Sequence, residues 1–237
     1  RLSRVRCIHT HPDGDGHLSE VDLSALRIFR YDAMTAVGVL RGEPTWVQTA
    51  FLEENNGLLM PERDQVIEII RDIREKCGED FIVGMRLSAD EFVEGGLTVE
   101  DCKAIALMME EEGLDMIHVS VGNYLSVDLN IASSYSAHGW FSDWAKQVKE
   151  VVKIPVITVS RINDPFLADE ILASGKADLV AMGRASLCDP DMPNKAKEGR
   201  FEDIRRCIGC NDGCIGVLFG DEPITCVLNP ELGHEYE

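Results

Sequence analysis

Basic residues are scarce in this chain: 23 lysines and arginines stand against 42 aspartates and glutamates, a formal net charge of −19. A field of that sign repels phosphate backbones, which argues against nucleic acid as a partner. Long apolar runs are missing too. No stretch approaches the length of a membrane span, and the opening Arg-Leu-Ser-Arg-Val-Arg is not followed by the apolar core of a secretory leader. There is no low-complexity tract, and with 45% hydrophobic residues the chain can bury a sizeable core. No Gly-x-Gly-x-x-Gly follows any candidate strand, which weakens a dinucleotide-binding reading. The first residue is Arg1 rather than methionine, so the sequence reads as a piece of something longer.

What is present divides near Asn55-Asn56-Gly57. Ahead of that point the pattern gives a strand at 5–8, a polar loop, a helical run at 19–36 and a strand at 45–52. Beyond it, strands and helices alternate to about residue 200. Val66, Ile69, Ile70 and Ile73 fall on one helical face, with Gly78 placed to end that helix. Thr98 and Asp101 form a capping box for a helix reaching Gly113. Asp164-Pro165 opens another that Gly175 closes, and 140–152 makes a fourth. Between them, 81–87, 116–121, 155–159 and 178–182 are continuous apolar runs, as expected of parallel strands buried on both faces. Such repeats imply an α/β fold, either a doubly wound sheet or a (β/α)₈ barrel.

In a barrel, chemistry sits at the C-terminal ends of the strands. Here those ends read Arg86-Leu87-Ser88, His118 through Tyr124, Ser160-Arg161-Ile162-Asn163-Asp164 and Met182-Gly183-Arg184. Arg161 and Arg184, at neighbouring strand ends beside helix starts, form a candidate anion cradle, with Gly183 permitting close backbone approach. The competing reading pairs each arginine with one of the many surface acids.

The segments RLSADE (86–91), PVITVSRINDP (155–165) and DLVAMGRASLCDPDMP (178–193) resemble the last four strand ends of the old-yellow-enzyme family. The closest branch holds 2,4-dienoyl-CoA reductase, trimethylamine dehydrogenase and the bile-acid-inducible flavoenzymes, and the resemblance covers about residues 60–237. It implies the second half of a flavin-binding (β/α)₈ barrel at 58–200. It places Arg86 against the N1/O2 edge of FMN, where a cation stabilises charge on the reduced ring. The phosphate site then falls on Ser160, Arg161, Gly183 and Arg184, with Ser160 standing where glycine is common in the family. Tyr124 falls near the family's proton-donor position, although a buried tyrosine with a satisfied hydroxyl is the commoner case.

Eight cysteines are unevenly spread. Cys7, Cys77, Cys102 and Cys188 stand apart and read as reduced core residues of a cytoplasmic protein. Cys207-x₂-Cys210-x₃-Cys214-x₁₁-Cys226 crowds into 201–237 and offers four soft thiolate ligands. A structural Cys₄ zinc site more often shows two separate Cys-x₂-Cys knuckles. The spacing repeats that of the same branch, and the resemblance implies a [4Fe–4S] cluster passing electrons to FMN. It also implies FAD and NAD(P)H on a following module, and reduction of an activated C=C bond in a small unsaturated carbonyl or thioester. Glycines 209, 213 and 216 suit a chain wound tightly around such a cluster.

The first 57 residues carry a different signal. His9-x-His11-x₇-Ser19-x₂-Asp22 matches the JAMM metalloprotease pattern, in which two histidines and an aspartate leave zinc an open position for water. No acid in residues 1–8 can serve as general base. The stretch is also similar to leader regions of HflX-type GTPases, and a metal-free polar loop remains open. Three readings therefore compete: a truncated or chimeric piece of a redox flavoenzyme, a JAMM-like zinc hydrolase, and a non-catalytic half barrel acting with a complementing half or as a homo-oligomer.

Overall fold

The computed structural model describes residues 63–217 and 223–235, together with the backbone of three earlier strands. Those strands are β1 (Arg6–His11), β2 (Ala33–Leu40) and β3 (Glu43–Phe51). They form one sheet in that order, β1 parallel to β2 and β2 antiparallel to β3. β1 and β3 fall where strands are expected. Residues 33–36, expected to end a helix, instead begin β2, because pairing along both edges overrides their local preference. The remainder of that expected helix lies outside the described residues.

From residue 63 the elements alternate in the predicted way. They run α1 (Arg63–Cys77), β4 (Gly84–Ser88), α2 (Val99–Glu111), β5 (Met116–Ser120), a single turn α3 (Val127–Asn130), α4 (Ser142–Lys149) and β6 (Val156–Thr158). Then come α5 (Pro165–Ala173), β7 (Leu179–Val180), α6 (Gly183–Cys188) and α7 (Met192–Lys197). Strands β4-β5-β6-β7 lie side by side in sequence order and all pair in parallel.

The helices start and stop for local reasons. Thr98 and Asp101 make the reciprocal capping box ahead of α2, which satisfies two otherwise orphaned N–H groups. Asp164 caps α5, whose first residue is Pro165. On α2, Cys102, Ile105, Ala106 and Met109 are buried, the i, i+3, i+4, i+7 stripe that faces the sheet. Burying Ile105 and Met109 is worth about 2 kcal/mol each. They join Ile117, Val119 and Val121 of the β5 segment, and Phe141, Ala145 and Val148 of the α4 segment, in one core. Burial also pushes the Cys102 thiol up to about 12, as an inert core cysteine requires.

One expectation is corrected. β5 is not buried on both faces: Ile117 and Val119 are fully covered, whereas Met116 and His118 are only partly so. The helices cover one face, and among the described residues the other carries polar side chains such as Arg86 and His118.

The two ends of the sheet differ in kind. At the N-terminal edge, Asp115 accepts from Val83 N at 2.6 Å and from Arg74 at 2.6 Å. Asp178 accepts from Val156 N at 2.9 Å, and Glu110 from Ile154 N at 2.8 Å. Some of the abundant acids thus satisfy the free N–H groups where strands begin. That edge is structural, and the C-terminal edge is left for chemistry. No helix among the described residues is long and apolar enough to cross a membrane.

Candidate functional site

A pocket of about 280 Å³ opens over the C-terminal ends of the strands. Arg86, Ser160, Arg161, Gly183 and Arg184 all line it, so five residues drawn from three strand ends meet at one place. Tyr124 does not line this pocket: it sits in the turn after β5 and is 78% exposed.

Arg86 and His118 occupy paired positions of β4 and β5. The guanidinium Nη1 lies 2.9 Å from His118 Nε2. Burial, and then the Arg86 charge, lower the His118 imidazole to about 4. At neutral pH it is an uncharged ring beside a full positive charge.

Ser160 and Arg161 both have positive φ, 100° and 47°. Such backbone costs about 1–3 kcal/mol for a residue with a side chain, and it clusters at ligand sites. Ser160 is 6% exposed, and its hydroxyl has no partner within the protein. A Cβ added at Gly183 would meet nothing within 4 Å. An orphaned buried hydroxyl and an open glycine therefore share the pocket with Arg184. This donor set fits a phosphate group, and with Arg86 it fits a flavin mononucleotide.

The Arg161 guanidinium is otherwise engaged. It donates to the carbonyls of Ser134, at 3.0 Å, and of Ser136, and Nη2 lies 3.1 Å from His138 Nε2. His138 Nδ1 is 2.8 Å from Asn163 Oδ1, and Asn163 Nδ2 donates to the Cys207 carbonyl at 2.5 Å. With the His138 proton on Nδ1, every contact in this chain has one donor and one acceptor. The series ties the loop at 134–138 to the start of the cysteine segment.

Beside the first pocket lies a second, lined by Cys207, Cys210, Cys214 and Cys226. Sequence distance is closed by two local devices. Thr225 N donates to Gly213 O at 2.7 Å, and a Cβ at Gly213 would stand 2.3 Å from Thr225 Oγ1, so only glycine lets the two segments touch. Buried Asp189 accepts from Lys195 at 2.8 Å and from Arg205 N at 2.9 Å, fixing the chain that enters Cys207. Among the described residues no three His, Cys, Asp or Glu side chains meet at a single-ion site. The four thiols line one cavity, and soft thiolates are the donor type that an iron–sulfur cluster takes.

Two features escape a reading of spacing. Cys188, isolated in sequence, lines the same cavity as the four thiols. The motif S-R-I-N-D drew attention to its arginine, yet its asparagine holds Cys207. Within the JAMM-like motif, the backbone of His9 and His11 belongs to β1, while Ser19 and Asp22 lie outside the described residues.

Comparison with known proteins puts this parallel α/β unit among the flavin-dependent oxidoreductases. The chain belongs to the NADH:flavin oxidoreductase / NADH oxidase family, whose sequence profile matches residues 64–203. It is 49% identical over 170 residues to an NADH oxidase from Thermoanaerobacter brockii, covering 71% of this chain and 26% of that protein. A cinnamate reductase from Clostridium sporogenes is 32% identical over 184 residues, 72% of this chain and 28% of that one. Among solved structures, a 2-naphthoyl-CoA reductase complex matches with TM-score 0.70 and 34% identity, over 74% of this chain and 27% of that chain. The chain thus spans about a quarter of the length of these relatives.

Proposed function

We propose that residues 58–200 are the second half of a flavin-binding (β/α)₈ barrel and that 201–237 hold a [4Fe–4S] cluster, both serving reduction of an activated C=C bond. The observation that carries this reading is a shared wall. Arg184 and Cys207 each line both the strand-end pocket and the four-cysteine pocket. A redox pair needs its two sites adjacent, and here two residues are common to both pockets.

In this reading the partly open face of β4 and β5 is the barrel interior. Arg86 supplies a fixed positive charge at the flavin ring edge, and the neutral His118 beside it adds no competing charge. The Ser160 hydroxyl, the Gly183 N–H and the Arg184 guanidinium hold the phosphate. Arg161 contributes its backbone, since its guanidinium is bound to the 134–138 loop. Cys207, Cys210, Cys214 and Cys226 hold the cluster, with the most exposed of them, Cys210, at its solvent edge. Bound FMN would supply hydride chemistry and the cluster single-electron transfer. Tyr124 stays as the proton donor, at the same edge of the sheet. FAD and NAD(P)H would act from a further module. The substrate class is a small unsaturated carbonyl or thioester, as the names of a cinnamate reductase and a 2-naphthoyl-CoA reductase suggest. The reduced thiols fit a cytoplasmic setting.

Anaerobic purification with iron, sulfide and flavin analysis tests the proposal. About four irons and four sulfides per chain are expected, lost on Cys210→Ala. Gly183→Ala is expected to leave melting unchanged, because its Cβ meets no protein atom, and to weaken FMN binding at least about tenfold. Zinc in place of iron after reconstitution would sink the cluster reading. Unaltered FMN affinity in Gly183→Ala would sink the phosphate site.

A further inference from the structure

We propose that Asn211, a residue of the four-cysteine loop, orients the Arg184 guanidinium toward the flavin phosphate and so gives this chain a preference for FMN over riboflavin. The inference rests on reading the strand-end pocket as the flavin phosphate site. It makes a residue of the cysteine segment a positioning residue for the neighbouring pocket, a role that the four-cysteine spacing does not contain.

Asn211 stands between Cys210 and Cys214 and lines the four-cysteine pocket, whereas Arg184 lines both pockets. Asn211 therefore lies behind Arg184 as seen from the strand ends and does not itself face the phosphate. Arg184 Nη1 donates to Asn211 Oδ1, and Asn211 Nδ2 donates to Ile131 O at 3.4 Å. A guanidinium only donates and a carbonyl only accepts, so both contacts require the same orientation of the amide. Ile131 also lines the strand-end pocket. One amide thus joins two walls of that pocket: the start of α6 and the loop after α3. The backbone suits the task. Asn211 has φ 60°, a left-handed conformation that asparagine tolerates better than most residues, and its carbonyl accepts from Gly216 N at 2.7 Å.

The physical consequence follows from charge. An uncharged amide holds the guanidinium through one N–H and leaves its positive charge and remaining donors to an anion. A carboxylate in the same place would hold the side chain as firmly but would cancel that charge. In a chain of net charge −19, an arginine at an anion site stays available only if its partner is neutral. Holding the side chain before the ligand arrives also removes part of the ordering cost of binding. Arg161 shows the opposite outcome: its guanidinium is tied to the 134–138 loop, so Arg184 is the arginine that meets the phosphate charge.

The test is calorimetric titration of the full chain, prepared anaerobically, with FMN and with riboflavin, which lacks the phosphate. Wild type is expected to prefer FMN. Asn211→Gly keeps the left-handed backbone and removes the amide; it should weaken FMN binding about 5- to 10-fold and leave riboflavin binding unchanged. Arg184→Met should weaken FMN binding about 10- to 100-fold. Adding Asn211→Gly to Arg184→Met should cost nothing more, because Asn211 acts through Arg184. Unchanged FMN affinity in Asn211→Gly would overturn the inference. Equal losses for FMN and riboflavin, or additive losses in the double variant, would also overturn it, since both mark a structural role alone. Loss of iron in Asn211→Gly would do the same by moving its role to the cysteine pocket. If glycine prevents folding, Asn211→Ala keeps a Cβ and removes the same amide. Wild type that binds FMN no better than riboflavin overturns the phosphate reading itself. That outcome is separate from a failure of the Asn211 contact, in which wild type keeps its preference and the variant shares it.

Discussion

Arg86 and His118 stand opposite each other on adjacent parallel strands, with Nη1 2.9 Å from Nε2. The pair keeps one positive charge and excludes a second. Protonating His118 would place two cations in contact within a partly buried site. Burial is the larger cause and this repulsion the lesser, and together they lower the imidazole to about 4.

A pH dependence follows. The folded value lies below the ordinary 6.5, so as pH falls the unfolded chain takes up the proton first. Stability should therefore decline from pH 6.5 toward pH 4 and level off below. The contribution of this one ring is about 1–2 kcal/mol once solvent screening is allowed for. Proton NMR of the folded chain checks it directly, and His118→Gln should flatten the stability slope in that window. An imidazole titrating near 6.5 would show that the ring is neither buried nor faced by Arg86.

Ser160 sits at φ 100° with an unpartnered hydroxyl, so strain and function can be separated there. Ser160→Gly should raise stability by about 1 kcal/mol, since glycine takes positive φ without steric cost. The same change should weaken FMN binding about 5- to 10-fold through loss of one hydrogen bond to the phosphate. Thermal melting and a fluorescence titration of flavin read the two effects apart. A gain in stability with unchanged affinity would confine the flavin contact to the backbone.

Asp189 is fully buried, bonded to Lys195 and to the Arg205 N–H. Burial alone would raise its carboxyl, but these bonds outweigh that and hold it below the ordinary value. Its stabilising contribution is present above the unfolded value of 3.8 and is lost as pH falls through the lower folded value. Asp189→Asn strands the Lys195 charge and should cost about 2–3 kcal/mol, measured by denaturant unfolding. Because Arg205 leads into Cys207, the same variant should also lose iron faster on dilution. Unchanged iron retention would mean that Cys207 is positioned from elsewhere, with Asn163 the next candidate.

Much of this molecule is local in origin. The stripe of Cys102, Ile105, Ala106 and Met109, the Thr98–Asp101 box and the Asp164-Pro165 start follow from hydrogen bonding and helical period over a few residues. Parallel pairing also follows, because each strand is separated from the next by a helix. The clustering of Arg86, Ser160, Gly183 and Arg184 at strand ends is legible for the same reason. The front segment shows the limit: residues 33–36 carry a helical pattern and are paired as strand, because partners on both edges outweigh local propensity.

Tertiary structure alone decided what each polar group faces. Spacing marks Arg161 and Arg184 as equivalents, yet one guanidinium is bound to the carbonyls of Ser134 and Ser136, while the other lines both pockets and donates to Asn211. Spacing makes Cys188 a solitary core cysteine, yet Asn229, bonded to Leu187 O and to Cys226 O, brings the Cys226 loop to the end of its helix and into one cavity with it. The sequence by itself determined the strand–helix repeat and the four-cysteine loop, both set by short-range periodicity and residue chemistry, and it pointed to the family through the resemblance of its strand-end motifs. Partner choice for Arg161, Asn163 and His138 depends on which loops close over which strand ends. That is a long-range packing outcome, and no local pattern encodes it.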